Sequence, residues 1–264
     1  MRIRLLVAIV AVMLSAFAGA PAQARPPLVK AVTFNVCGNV CRYGEVTGTA
    51  GNIAYKIRKF GASVTMLQEL CYSQFLGIRT RLARYGYKAE FATASTGGRC
   101  DDHDRKHGTA FGIALVVRGT IAGKVVYRLP SPYGVHPEGR VVLGATVRVA
   151  GRTMFVVTTH TAVDANLPVQ LGAIRRWLIP IAANRPVLFG GDLNTPPGSG
   201  DLDAFYAAFR EADVDRVHPL TTFLPYPPRK IDYLFGSKGF LAAAGAARAD
   251  TGYSDHAMYL GAFR

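Results

Sequence analysis

Six apolar runs in this chain start or stop on a side chain carrying an amide, a carboxylate or an imidazole. Asn35 closes the β-branched run that begins at Val29, Glu69 follows Val64–Gln68, and His160 follows Thr153–Thr159. Asp192 and Asn194 follow Val187–Phe189 through Gly190-Gly191, Asp232 lies in Ile231–Phe235, and Asp255-His256 precede Ala257–Ala262. Runs rich in Val, Ile, Thr and aromatic residues read as strands. Strand ends converge in layered folds, so polar groups confined to them are candidates for one pocket.

Further strands are expected at Tyr87–Thr93, Ala110–Val117, Lys124–Leu129 and Val141–Val149, the last joined to Thr153–Thr159 by a hairpin turn at Ala150-Gly151-Arg152. Helical spacing marks Thr49–Phe60, with Ile53, Ile57 and Phe60 on one face and Gly61 as terminator, and also Gln74–Arg84, Pro168–Leu178 and Asp201–Phe209. Hairpins and helices together connect these strands, which predicts α+β layering rather than one parallel sheet. No linker or repeat divides the chain, and with 264 residues, half of them hydrophobic, it is expected to form one large domain.

The first 24 residues read as an export signal: Arg2 and Arg4, an apolar run from Leu5 to Ala20, and a small-residue cleavage site at Ala22-Gln23-Ala24, with a second candidate cut after Ala20. The mature domain would then be residues 25–264, extracellular, monomeric and without a membrane span. Export makes an even cysteine count meaningful. Among the three connectivities of Cys37, Cys41, Cys71 and Cys100, the preferred one pairs Cys37 with Cys41, closing a short loop, and Cys71 with Cys100. A zinc site is the weaker rival, because the spacing fits poorly. The net charge of +14 favours polyanionic partners: nucleic acid, anionic lipid surfaces or phosphorylated ligands.

If the strand-end groups meet, they suit phosphodiester hydrolysis. That reaction needs a cation for the phosphate charge, a base for water and a donor for the leaving oxygen. Mg²⁺ prefers a few carboxylates, which Glu69 and Asp255 could supply. Asp192 could orient or deprotonate water, His256 or His160 could serve as acid or cationic clamp, and Asn35 and Asn194 could bind phosphate or hold the carboxylates.

The ordered series Asn35, Gln68-Glu69, Thr159-His160, Gly191-Asp192-Leu193-Asn194, Ile231-Asp232-Tyr233 and Ser254-Asp255-His256 resembles the motif set of the endonuclease/exonuclease/phosphatase (DNase-I-like) superfamily, from about Lys30 to Arg264. The resemblance implies a four-layer α/β/β/α sandwich with the site on one rim. It implies Glu69 as principal metal ligand, with Asn35 beside it and Asp255 as a second acidic residue near the metal. Asp192 becomes the water-activating carboxylate and Asn194 a phosphate contact. His256 becomes the donor to the scissile phosphate, kept charged by Asp232. His160 resembles the nuclease, sphingomyelinase and phosphoinositide-phosphatase branches, and Arg140 the arginine that contacts substrate phosphate. The implied cofactor is Mg²⁺, with Mn²⁺ or Ca²⁺ as alternatives. The expected activity is a secreted nuclease acting on DNA or RNA, and the rival is a lipid phosphoester hydrolase of the same fold.

One departure is the absence of a tyrosine before Gly108-Thr109-Ala110, where His107 stands instead. Asp101-Asp102-His103-Asp104 reads as a solvated loop, His136 and His218 as surface residues, and Arg79, Arg81 and Arg84 as a basic, solvated helix face. Leu224–Pro228 is a short candidate for contact with lipid.

Overall fold

The computed structural model describes residues 27–101, 108–134 and 138–264. The export segment, Asp102-His103-Asp104, His107 and His136 lie outside them. Two six-stranded mixed sheets pack face to face. The first has the order β11-β12-β1-β2-β4-β3, from β1 (Val29–Asn35), β2 (Val64–Cys71), β3 (Tyr87–Thr96), β4 (Ala110–Arg118), β11 (Ala243–Ala249) and β12 (Met258–Phe263). The second has the order β5-β6-β7-β8-β10-β9, from β5 (Thr120–Arg128), β6 (Val141–Val149), β7 (Arg152–His160), β8 (Val187–Asp192), β9 (Phe209–Glu211) and β10 (Asp232–Ser237). Helices α1 (Thr47–Phe60) and α2 (Tyr72–Ala83) cover the outside of the first sheet, and α3 (Leu167–Ala182) and α4 (Asp203–Ala208) cover the second. This is the α+β four-layer sandwich expected from the sequence.

Three apolar layers hold it together, and alternation within the strands assigns residues to them. In β1, Val29 and Ala31 enter the layer between the sheets, whereas Val32 and Phe34 meet Ile53, Ile57, Phe75 and Ile78 of α1 and α2. In β7, Met154 and Val156 face the other sheet, whereas Phe155 and Val157 meet Leu171, Ile174 and Leu178 of α3. Strands buried on both faces read as nearly continuous apolar runs, which is why they were legible.

Some boundaries differ from expectation. The Asp201–Phe209 segment is a 3-10 turn, Gly200–Leu202, followed by α4, and Phe209 instead opens β9. Helix α3 runs past Leu178 to Ala182 with Pro180 in its last turn. Strand β11, an edge strand of Ala and Gly with one Arg, carries no β-branched signal; its pairing with β12 supplies what propensity does not. Both preferred disulfides are formed, Cys37–Cys41 and Cys71–Cys100.

Candidate active site

Parity along the strands decides where the polar groups go. Asn35 is an even number of residues from Ala31, Gln68 from Met66, His160 from Val156, Asp192 from Leu188 and Asp232 from Leu234, and all five partners face the layer between the sheets. Each polar side chain therefore lies on the inner face. Register aligns them: Asn35 pairs with Gln68 in the first sheet, while Asp192 pairs with His160 on one side and Asp232 on the other in the second. The site is the place where the apolar layer between the sheets gives way to polar side chains.

Two bonds close the rows across the gap. The Asn35 amide donates from Nδ2 to Glu69 Oε1 at 2.8 Å and to Asp192 Oδ2 at 3.0 Å, and Gln68 Nε2 donates to Thr158 Oγ1 at 3.0 Å. The Cys37 N–H donates to Asn35 Oδ1 at 2.9 Å, which fixes the amide's orientation. Glu69 sits at a break in the β2–β4 register with φ 52°. A bulge there turns its carboxylate out of the alternation and toward Asn35. On the other side, Gly191 has φ 147°, and a Cβ there would stand 2.0 Å from the Thr159 carbonyl oxygen, so β7 and β8 can meet closely at Asp192 only with glycine in this place.

Asp192 is almost fully buried among donors. Its Oδ2 lies 3.5 Å from His160 Nε2 and 3.6 Å from His256 Nε2, and its Oδ1 accepts the Asn194 N–H at 3.0 Å. Burial and the neighbouring Asp232 raise its pKa against the pull of His256. His256 Nδ1 is 2.8 Å from Asp232 Oδ2. Burial alone would lower the His256 pKa, but the carboxylates of Asp232 and Asp192 outweigh it and lift the imidazole to about 10. Phe223 packs edge-on against the His256 ring, and Thr222 Oγ1 accepts the N–H groups of Ile231 and Asp232, which holds Asp232 in place. Glu69, the more open carboxylate at 16% side-chain exposure, is raised to about 7 by burial and by the charges of Glu138 and Asp192.

Arg140 does not stand at the mouth. Its side chain is buried, with Nη1 3.0 Å from Glu138 Oε2 and 3.1 Å from His160 Nδ1. A guanidinium only donates, so Nδ1 accepts and His160 directs an Nε2–H toward Asp192 and Glu69. Asn194, with φ 47°, donates to the Thr161 carbonyl at 3.0 Å. The Asp255 carboxylate lies within 4.8 Å of both sulfurs of the Cys37–Cys41 disulfide and accepts from Ser254 Oγ at 3.2 Å. Those sulfurs are joined to each other and offer no thiolate. Asp255 therefore lies on the rim, outside the hydrogen-bonded cluster of Asn35, Glu69, Asp192, His160, Asp232 and His256.

The sequence reading did not single out Glu138, Thr222 or Phe223. Glu138 could have been found through Arg140, two residues on; Thr222 and Phe223 lie in an irregular segment with no periodic signal.

The family model described as the endonuclease/exonuclease/phosphatase family matches residues 32–256. The chain belongs to this family. Solved structures agree in fold: the human Nocturnin catalytic domain with bound sulfate (TM-score 0.73, 20% identity, 92% of this chain and 95% of that one), D. rerio TDP2 complexed with single strand DNA product (0.67, 15%, 90% and 99%), and the Bacteroides thetaiotaomicron mannosyl-6-phosphatase Bt3783 (0.68, 14%, 89% and 99%). No curated protein matches by sequence. Members of the endonuclease/exonuclease/phosphatase family are phosphoric ester hydrolases, usually dependent on a divalent metal. The donor set here fits such an ion: it is oxygen-rich, as hard cations require, and Glu69 is crowded by like charge that a cation would offset.

Proposed function

We propose that this protein is an exported, metal-dependent phosphodiester hydrolase that cleaves nucleic acid, with residues 25–264 as the mature domain. One observation carries the reading: Asp192 is bracketed by His160, His256 and the Asn35 amide, and that amide is shared with Glu69.

Glu69 would hold the metal, with Asn35 positioning its carboxylate from Nδ2 and Asp255 as a further carboxylate at the rim. Mg²⁺, or Mn²⁺ or Ca²⁺ in its place, would neutralise phosphate charge and polarise the phosphoryl group. Asp192 orients water and takes its proton; its raised pKa makes it a better base near neutrality than an ordinary aspartate. His256, kept cationic by Asp232, donates to a phosphate oxygen and stabilises the charge that develops there. His160 donates from Nε2, and Arg140 serves as a positioning residue that fixes its tautomer. Asn194 shapes the turn that aims Asp192 and contacts phosphate.

A nucleic-acid substrate suits the net charge, +14 for the whole chain and +12 without Arg2 and Arg4 of the export segment. A related fold has been seen with single strand DNA product. Among the described residues no helix is long and apolar enough to cross a membrane. The direct test is nicking of supercoiled plasmid in Mg²⁺ by residues 25–264, beside Asp192→Ala purified identically. Nicking by the parent alone is expected. No cleavage of plasmid, RNA or free DNA ends, together with turnover of sphingomyelin or phosphoinositide vesicles, would overturn the nucleic-acid assignment in favour of a lipid substrate.

A further inference from the structure

The two helices that cover the first sheet contain no carboxylate. Helix α1 carries Lys56, Arg58 and Lys59, α2 carries Arg79 and Arg81, and Arg84 follows directly. Between the ends of these packed helices is a cavity of about 440 Å³ whose lining includes Tyr55, Arg58, Arg81, Arg84 and Tyr85. The Arg58 guanidinium lies 3.7 Å from the centroid of Tyr85 and that of Arg84 lies 4.9 Å from the same ring. Tyr55 is 59% exposed, with Lys59 Nζ 6.0 Å from its ring.

Cations in the last turn of a helix offset its dipole, and that accounts for some of this charge. It does not account for the first turn of α2, where acidic residues are favoured and there is none; at α1 the Glu45 carboxylate, just ahead of the helix, accepts the Gly48 and Thr49 N–H groups. Nor does it account for tyrosines in the lining. A face serving solubility alone intersperses both signs.

We infer that this groove is a second binding site, for an unpaired stretch of polynucleotide. Arg58, Arg81 and Arg84 hold successive phosphates, and the open face of Tyr55 stacks a base. Basic grooves with accessible aromatic rings are how proteins hold single strands irrespective of sequence, and only an unpaired base offers its face. Helix α2 starts beside Glu69 at the end of β2 and runs 12 residues away from it, about 18 Å at helical rise. The groove is therefore remote from the reacting groups and anchors a chain rather than positioning the scissile bond. The inference rests on the nucleic-acid reading of the site.

The test measures binding of a fluorescent oligodeoxythymidylate to the full mature chain carrying Asp192→Asn, which separates binding from cleavage. Adding Arg58→Gln, Arg81→Gln and Arg84→Gln together should weaken affinity at least about tenfold and reduce the slope of log affinity against log salt by about 2. Tyr55→Ala should weaken it about fivefold or more with the slope unchanged. In the Asp192 parent, the triple substitution should leave turnover of bis(p-nitrophenyl) phosphate unaltered. Unchanged oligonucleotide affinity in the triple variant overturns the inference, and does so without touching the nuclease reading if the oligonucleotide is still cleaved. A parallel loss of small-ester turnover also overturns it, as a folding effect. Arginine-dependent binding of phosphatidylserine vesicles with oligonucleotide affinity untouched reassigns the face to a membrane surface. Arginine-dependent oligonucleotide binding by a parent that cleaves no nucleic acid upholds the groove while the nuclease reading falls.

Discussion

Asn35 Nδ2 stands 2.8 Å from Glu69 and 3.0 Å from Asp192, so one amide on the first sheet holds the carboxylate assigned to the metal and, across the gap, the one assigned to water. Replacing it with Asp puts a third acid between two acids that already repel. Asn35→Asp should lower kcat/KM by a factor of 100 or more, on the order of 3 kcal/mol. It should also raise the pH needed for metal binding, measured by calorimetry across pH.

The Asp232–His256 pair makes a pH-dependent contribution to stability. The folded pKa of about 10 lies above the ordinary value of 6.5. A raised histidine stabilises fully below its unfolded pKa and loses that contribution as pH rises through the folded one. Melting temperature should therefore fall between about pH 6.5 and 10 in the parent, by the equivalent of a few kcal/mol. In Asp232→Asn the burial effect is less opposed, so the His256 titration followed by NMR should move down and the alkaline limb of the rate profile should move with it. A His256 titration unchanged in Asp232→Asn would refute the pairing.

Glu69 acts in the same direction over a lower window, but here it is the charged form that folding disfavours. Its folded pKa of about 7 lies above the ordinary 4.5, so folding costs more as pH rises between those values and the cost stays constant beyond. A divalent ion at Glu69 would relieve this. The rise in melting temperature on adding Mg²⁺ should be larger at pH 8 than at pH 5, and Glu69→Gln should abolish the difference.

The two disulfides should separate stability from activity. Closing 29 residues of chain restricts the unfolded state more than closing 4. Loss of Cys71–Cys100 is expected to cost about 3–4 kcal/mol, against about 2 for Cys37–Cys41. Activity should rank the other way, because the Cys37 N–H orients Asn35. Denaturant unfolding and kcat of the two double-serine variants check both orders.

Much of this was legible from residues alone because strand alternation and the position of polar groups at strand ends are local signals. Asn35, Glu69, Asp192, Asp232 and His256 each stood out against apolar neighbours. What alternation cannot report is distance across the gap between sheets. It could not tell that Arg140 reaches His160 from a buried position rather than from the mouth, or that Asp255, adjacent to His256 in sequence, lies by the Cys37–Cys41 disulfide. Strand β11 was missed because its pairing partner, not its composition, makes it a strand.

The left-handed backbone at Glu69 has a consequence for anyone improving this protein. A non-glycine residue there carries on the order of 1–2 kcal/mol of steric cost that glycine would escape. A library selected only for heat tolerance is thus drawn toward Glu69→Gly, a sturdier molecule without its principal carboxylate. Durability and turnover pull in opposite directions at this position, and selection for either one alone would reward the wrong residue for the other.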